Sequence, residues 1–359
     1  SYICYAPLLQ GSASILYEGK PIKTPDAGSI WRVIEEHNVT QMFTAPTAFR
    51  SVRLEDPDCE IIKKYDVSSL HTMWLAGERA DTSTIQWLEK AMKNEVPVYD
   101  HFWQTETGWP MLCYPNGVHT ETTQPQQARK RIEMRYGSAG VPVVGYDLHI
   151  LGEDGNEKES GEEGKLCAKL PLPPGTFKSL WGAEGEERMK DTYFSFLEGW
   201  YRSGDVAVCD NQGYFYLMTR EDDVINVAGH RLMTSAMEEV VARHEDVVEG
   251  VVVGIPDELK GQLPISFVIL RSEYSQSFEK ELINLVREEI GPVAAMKVVI
   301  KLSKLPKTRS GKILRGTLTK MMSGEERVKI PPTIEDPQTL HNIKKEMEER
   351  GYEVGELYE

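Results

Sequence analysis

Long apolar runs are missing. Nowhere in the 359 residues does a hydrophobic stretch approach the roughly 20 residues of a helical membrane span. Cysteine is scarce: Cys4, Cys59, Cys113, Cys167 and Cys209 are odd in number, widely spaced and without a C-x-x-C pair. That pattern argues against a disulfide framework or a zinc ribbon and fits a reducing compartment. Positive charge is short as well. Lys and Arg total 41 against 56 Asp and Glu, a net charge of -15, which repels nucleic-acid backbones and anionic membranes except at a local basic patch. Internal repeats and low-complexity tracts are absent. The opening Ser1-Tyr2-Ile3-Cys4-Tyr5 carries neither an initiator Met nor a basic-then-apolar leader, and reads as a chain entered in mid-protein.

What is present is the composition of a soluble enzyme of about two domains, 40% hydrophobic and 27% charged. Ile30, Val33, Ile34 and His37 fall at helical spacing, as do Ile85, Leu88 and Met92. Strands are expected over 70–75 and 96–99, each running into a polar loop, the place where open α/β sheets hold ligands. Beyond Gly137 the pattern changes to short strands and turns, such as Asp154-Gly155-Asn156, and predicts a β-rich subdomain. After Arg220-Glu221-Asp222-Asp223 a compact α+β unit begins, with helices on Met237, Val240 and Val241 and on Phe278, Leu282, Leu285 and Val286. The fold class is therefore α/β followed by a small α+β domain. Its expected divisions are 1–221 with the β-rich part from about 137, 222–325, and a charged helical tail over 326–359.

Four stretches carry the chemistry. Trp103-Gln104-Thr105-Glu106-Thr107-Gly108 combines hydroxyl, carboxylate and glycine, the groups that bond a phosphate oxygen and hold a divalent cation beside it. Taken singly, it reads first as a polar strand-to-helix loop in which Thr and Glu cap a helix. Tyr201-Arg202-Ser203-Gly204-Asp205 puts a carboxylate after a tight turn, where it can accept both hydroxyls of a ribose, or simply be a solvated turn. Asp222 to Arg231 interrupts a strand-like run with a polar pair and sets Gly229 before two cationic-capable side chains. Leu305-Pro306-Lys307-Thr308-Arg309-Ser310-Gly311-Lys312-Ile313-Leu314-Arg315 concentrates cations on a glycine-containing loop, without the aromatic interleaving of a nucleic-acid site.

Together with Thr44-Ala45-Pro46-Thr47-Ala48-Phe49-Arg50, Ala76-Gly77-Glu78-Arg79 and Gly137-Ser138-Ala139-Gly140-Val141-Pro142, these stretches stand in one order. From Ser1 to about Lys320 the chain resembles the acyl-adenylate-forming superfamily, and within it the AMP-forming acyl-CoA synthetases of the acetyl/propionyl group. The resemblance implies two half-reactions. A short-chain carboxylate attacks the α-phosphate of ATP to give acyl-AMP and pyrophosphate, and the thiol of coenzyme A then displaces AMP, with Mg²⁺ as cofactor. It implies that Gly77, Glu78, Arg79, Asp100, His101, Phe102, Trp103 and Gln104 line the nucleotide site. Thr105 would bond the α-phosphate, Glu106 would hold Mg²⁺, Asp205 and Arg220 would grip the ribose and Arg231 the phosphate. Lys312 would be the catalytic lysine, Asp222 the hinge of the small domain, and Ala228, Gly229 and Arg287 coenzyme A contacts. Ala76 and Trp103 would wall the acyl pocket, small at Ala76, which favours propionate. His244, with the backbone at Ala242 and Val247, matches a secondary metal site.

The resemblance also implies small-molecule partners only, with neither nucleic acid nor membrane, in the cytoplasm or the mitochondrial matrix. The Gly/Ser/Thr-rich phosphate loop that the family carries ahead of the matching segment is not in this sequence. The 359 residues by themselves are therefore expected not to release pyrophosphate, and a catalytically incomplete nucleotide or coenzyme A binding fragment is the alternative reading. An adenylation domain for amino acids is a third, which the bulk of Trp103 disfavours.

Overall fold

The computed structural model describes residues 2–20, 22, 24–93, 95–115, 132–271, 275–294, 296–309 and 311–359, with the side chains of Asp222 and Gln276 outside that description. The chain divides into two compact units, 1–217 and 218–359.

In the first unit, helix α1 spans Tyr2–Leu9 and α2 spans Ser29–His37. The α2 stripe of Ile30, Trp31 and Ile34 is buried, and the helix stops at Asn38, whose φ of 48° lies in the left-handed region that asparagine tolerates. Strand β1, Gln41–Thr44, leads to α3, Pro46–Glu55, with proline in the first turn where its missing N–H is no loss. Strand β2, Thr72–Leu75, leads to α4, Thr82–Ala91, capped by Asp81, whose carboxylate accepts the Thr84 N–H at 2.8 Å. Strand β3 is Val98–Asp100.

The three strands run parallel in the order β1-β2-β3. Thr44 lies opposite Leu75, and Leu75 opposite Asp100, so all three end at one level. Trp31, Phe49, Val52, Met73, Leu75, Ile85, Leu88 and Val98 fill the core beneath them. Apolar runs on short strands flanked by helices are what such a sheet requires. Past Asp100 the chain turns antiparallel. Phe102–Trp103, Pro110–Cys113 and Val141–Pro142 form one small sheet. Leu148–Leu151, Glu163–Lys169, Trp200–Cys209 and Phe215–Arg220 form a four-stranded one, the β-rich texture expected from the sequence.

The second unit is a mixed sheet of Val224–Val227, His230–Met233, Val247–Asp257, Gly261–Leu270 and Val298–Lys301. Helices Thr234–Val241, Gln276–Glu289 and Arg315–Met322 pack with it around Val251, Phe267, Leu282, Val299 and Leu318. Residues 326–359 are the segment expected as a charged helical tail. They contain the helix Gln338–Glu349 and a parallel pairing of Arg327–Lys329 with Glu356–Tyr358, and Ile334, Leu340, Ile343 and Met347 are buried in this same core. Leu340, Ile343 and Met347 recur at helical spacing, so the charged residues of the segment are only its outer face. Among the described residues no helix is long and apolar enough to cross a membrane.

A two-residue turn, Ala228-Gly229, joins Val224–Val227 to His230–Met233, with Val227 paired to His230. Both turn residues have positive φ, 50° and 84°, as a hairpin of this twist demands. Alanine is strained there by its Cβ, whereas glycine is not. Ala228→Gly should therefore raise stability by about 1 kcal/mol, read as an increase in thermal midpoint; a decrease would mean that the turn does not hold the left-handed geometry.

Candidate functional site

The level strand ends bring three loops together at one edge of the parallel sheet. They are Ala45-Pro46-Thr47 after β1, Ala76-Gly77-Glu78-Arg79 after β2, and the run from His101 after β3. The Ala76 N–H donates to the Thr44 carbonyl at 3.0 Å and the His101 N–H to the Leu75 carbonyl at 3.1 Å, so each loop is tied to its neighbour as it leaves the sheet. Ala76 and Ala80 are buried, while Gly77, Glu78 and Arg79 are exposed between them. Arg50 holds the loop from below: its guanidinium contacts Glu78 and Asp81 at 2.8 Å each and donates to the Arg79 carbonyl at 3.3 Å. Thr47 donates its hydroxyl to Glu78. Burial alone would raise the Asp81 carboxyl, but Arg50 and the hydroxyls of Ser83 and Thr84 outweigh it and hold it well below the usual range.

Asp100 is buried, and both its oxygens are taken by backbone donors, Ala80 N–H at 3.1 Å and His101 N–H at 2.9 Å. It is thus the internal brace of the Gly77–Arg79 loop. Burial pushes its carboxyl up to about 7 against the pull of those donors. The His101 ring is packed edge-on against Phe43, centroids 4.9 Å apart, and Trp74, 5.6 Å. Burial lowers the imidazole to about 4, so it is neutral, and its Nδ1 has no hydrogen-bond partner. Trp103 faces Tyr2 at 5.6 Å and Phe43 at 6.2 Å, giving an aromatic wall.

The turn that follows is built by Thr107, fully buried, whose hydroxyl accepts the Gln104 N–H at 3.0 Å and approaches the Gln104 and Trp109 carbonyls at 2.9 and 3.0 Å. Gly108 has φ 73°, and a Cβ there would meet the Gly175 carbonyl oxygen at 2.4 Å, so only glycine fits. Thr105 is left exposed at the crest. Glu106 accepts the Tyr193 hydroxyl on Oε1 at 2.7 Å, which fixes the carboxylate. Gln104 reaches back to the antiparallel sheet: its Nε2 donates to Asp205 Oδ2 at 2.9 Å and to the Ser203 carbonyl at 2.8 Å, and its Oε1 accepts the Tyr201 hydroxyl at 2.7 Å. Two motifs a hundred residues apart are joined through one amide. Phe102 pairs with Leu112 and anchors the start of the loop.

In the second unit Arg220 and Arg231 are exposed, and Arg231 lies opposite Asn226 in the hairpin. Asp222 belongs to the short 3₁₀ helix Glu221–Asp223, its side chain outside the described residues. The Ala228 N–H donates to the Lys260 carbonyl at 2.7 Å, and Lys260 lines a cavity of about 450 Å³ with Arg287, Lys297, Ile283, Pro292, Ala294 and Met296. The hairpin turn and Arg287, expected at one site, are thereby brought to one region. Lys260 and Lys297 were not singled out in the sequence, because isolated lysines on a charged surface give no local signal. Lys312 is exposed on a small hairpin in which Thr308 and Lys312 are paired; Ser310 lies outside the described residues. His244 lies just after the helix Thr234–Val241. Its Nδ1 accepts the Asp246 N–H at 3.2 Å and its ring sits edge-on to Phe278 at 4.9 Å. Among the described residues no group of three or more His, Cys, Asp or Glu is placed to hold a metal ion.

Comparison with known proteins matches residues 1–181 to the AMP-binding enzyme family and 236–312 to the AMP-binding enzyme C-terminal domain. The chain belongs to the AMP-binding enzyme family. It is 43% identical over 347 residues to the mitochondrial acyl-CoA synthetase short-chain family member 3 of Mus musculus, covering 96% of this chain and 49% of that protein. It is 41% identical over 358 residues to the propionate–CoA ligase of Escherichia coli, covering 97% and 54%. An uncharacterized protein of Pseudomonas aeruginosa is 44% identical over 347 residues, covering 96% and 53%. The chain thus spans about half the length of the curated relatives it matches. Its fold is shared with an anthranilate CoA ligase solved with anthranoyl-AMP, at a TM-score of 0.68 and 23% identity over 87% of this chain and 55% of the other.

Asp100 makes a pH dependence that can be measured. The folded carboxyl keeps its proton to about pH 7, whereas an unfolded one releases it near ~3.9. The stability it contributes is full below pH ~4 and drains away as pH rises to 7, by at most about 1.4 kcal/mol per pH unit. Asp100→Asn cannot lose a proton and should be less stable at pH 5, where its amide opposes a backbone donor, with the deficit narrowing by pH 7.5. Parallel stability curves from denaturant titration at the two pH values would contradict this.

Proposed function

We propose that this chain serves an AMP-forming short-chain acyl-CoA synthetase, with propionate as its preferred acid. The observation that carries the reading is the Gln104 amide, which holds Asp205 against the turn bearing Thr105 and Glu106. A nucleotide with its ribose on Asp205 has its α-phosphate within reach of that turn. The shared names of the short-chain acyl-CoA synthetase and propionate–CoA ligase relatives support the same conclusion.

In the first half-reaction ATP lies along the edge formed by Gly77, Glu78, Arg79, Phe102 and Trp103. Asp100 and His101 support that edge from within. The carboxylate of propionate attacks the α-phosphorus, the bond to the bridging oxygen breaks, and diphosphate leaves with the electron pair. Thr105 donates a hydrogen bond to a nonbridging oxygen. Lys312 supplies a point charge to the oxygens on which negative charge accumulates, and Arg231 holds the phosphate bidentately. Glu106 fits Mg²⁺: its carboxylate, oriented by the Tyr193 hydroxyl on Oε1, is a hard oxygen donor. When bound there, the ion neutralises phosphate charge. In the second half-reaction the coenzyme A thiolate attacks the acyl carbonyl and AMP leaves, giving propionyl-CoA. The cavity with Lys260, Arg287 and Lys297 suits the phosphates of coenzyme A, beside the Ala228-Gly229 turn. Arg220 grips the ribose together with Asp205, and Asp222 is the hinge.

Two measurements test this. Lys312→Ala should lower propionate-dependent ATP–pyrophosphate exchange by roughly 10²-fold or more, while propionyl-AMP added directly is still converted by coenzyme A; equal loss of both steps would remove Lys312 from adenylation. For the acid, kcat/KM should be highest for propionate among acetate, propionate, butyrate and octanoate. Ala76→Val should shift the ratio toward acetate by roughly fourfold, the ~0.8 kcal/mol of one methylene. Octanoate as best substrate would overturn the small pocket.

A further inference from the structure

Lys312 is exposed, and its hairpin is a poor anchor by itself. The Thr308 N–H donates to the Lys312 carbonyl at 2.8 Å, the Thr308 hydroxyl accepts the Lys312 N–H at 3.1 Å, and Lys307 pairs with Ile313. Beyond that, the outer edge of the hairpin is covered by a segment far along the chain. The Arg309 N–H donates to the Thr333 carbonyl at 3.0 Å and the Glu335 N–H to the Lys307 carbonyl at 2.8 Å, bracketing an antiparallel pairing of Thr308 with Ile334. Residues 333–335 therefore act as a third strand laid against the lysine hairpin. That strand is not loose. The Ile334 side chain is 4% exposed, within the core that also takes Leu340, Ile343 and Met347 from the helix that follows. Ion pairs of Lys304 with Glu335 and Asp336, at 3.7 and 3.6 Å, and of Lys307 with Glu249 at 2.7 Å, tie the same region from its sides.

We propose that the segment Thr333-Ile334-Glu335 is the positioning element of Lys312: it fixes the hairpin through backbone hydrogen bonds and so sets where the ammonium group stands during adenylate formation. The inference rests on the adenylation role of Lys312 given above. A charge that stabilises a transition state must be held in place before the reaction, and a shift of about 1 Å can cost as much as 10²-fold. Backbone hydrogen bonds to the outer edge of the hairpin, backed by a buried isoleucine, supply that restraint where the Thr308–Lys312 pairing alone does not. Acting through the hairpin backbone, the segment influences the rate of the Lys312-dependent step.

Glu335→Pro removes the N–H donor to Lys307 while Glu335→Ala keeps it and loses only the side chain. Both are measured beside Lys312→Ala in the full protein that carries this chain, by propionate-dependent ATP–pyrophosphate exchange and by conversion of added propionyl-AMP to propionyl-CoA. The expected result is a fall of about tenfold or more in the kcat of exchange for Glu335→Pro, with KM for ATP and the thioester step within about twofold, and near-normal behaviour for Glu335→Ala. Should Glu335→Pro fail to fold, Ile334→Val loosens the same strand more gently and should lower exchange selectively to a smaller extent. Unchanged exchange in the folded variants, or an equal fall in both half-reactions, overturns the positioning role. If Lys312→Ala itself keeps exchange, the underlying reading fails instead; if Lys312→Ala loses it and the folded strand variants do not, only the present inference does.

Discussion

Everything at the loop-bearing edge of the first unit depends on three parallel strands stopping at one level. Parallel strands leave their loops on the same side of the sheet, and the registers that set Thr44 opposite Leu75 and Leu75 opposite Asp100 make those loops neighbours. A slip of one residue would turn Asp100 to the other face of the sheet. The carboxylate would then leave the two backbone N–H groups that it braces. Burial keeps the carboxyl protonated to about pH 7, and its two oxygens still accept both backbone donors, which the amide of an asparagine of the same size cannot do. The edge thus keeps a titrating group in its interior for the sake of the loop geometry above it.

The second unit solves a similar problem with a cation. The Arg315 guanidinium contacts Asp223 at 2.6 Å and both oxygens of Glu238 at 2.6 and 2.7 Å, while Glu238 also accepts the Val252 N–H at 2.8 Å. Burial raises the Glu238 carboxyl, and Arg315 opposes it. Removing one member of such a group leaves an uncompensated buried charge, a loss of about 3–5 kcal/mol, whereas an apolar set of equal volume is often no less stable. Its value lies in specificity of placement. One guanidinium joins the turn beside Asp222, the helix that follows the Gly229 hairpin, and the residue three places after Lys312.

Much of this was legible in the sequence, and the reason is locality. Thr105, Glu106 and Lys312 stand out in the sequence because they are polar residues gathered in loops, where a core needs none of them. The helices at Ile30 and Ile85 and the strands around 70–75 and 96–99 were readable from short-range periodicity and recur as α2, α4, β2 and β3. What was not readable is non-local. The engagement of Gln104 with Asp205 and Tyr201, the gathering of Lys260 and Lys297 about Arg287, and the pairing of residues 333–335 with the lysine hairpin all join positions whose neighbours in sequence say nothing of them. The segment after 326 is the instructive case. Its charge and helical character were legible, whereas the burial of Leu340, Ile343 and Met347 in the core of the second unit was not.

The basic loop shows how structure redistributes what composition presents as uniform. Lys307, Arg309, Lys312 and Arg315 look alike as four cations in nine residues. In the fold Lys307 is matched by Glu249 and Arg315 by Asp223 and Glu238. Arg309 and Lys312 remain exposed. In a chain of net charge -15 the overall field opposes an approaching nucleotide. Screening over roughly 8 Å at physiological ionic strength lets a local charge decide instead. Spending two of the four cations on internal carboxylates weakens the loop as a general anion trap, but it fixes the backbone from which Lys312 projects. A loop of four solvated cations would attract polyanions more strongly and place none of them well. For chemistry that depends on where one ammonium group stands, the paired arrangement is the more effective use of the same residues.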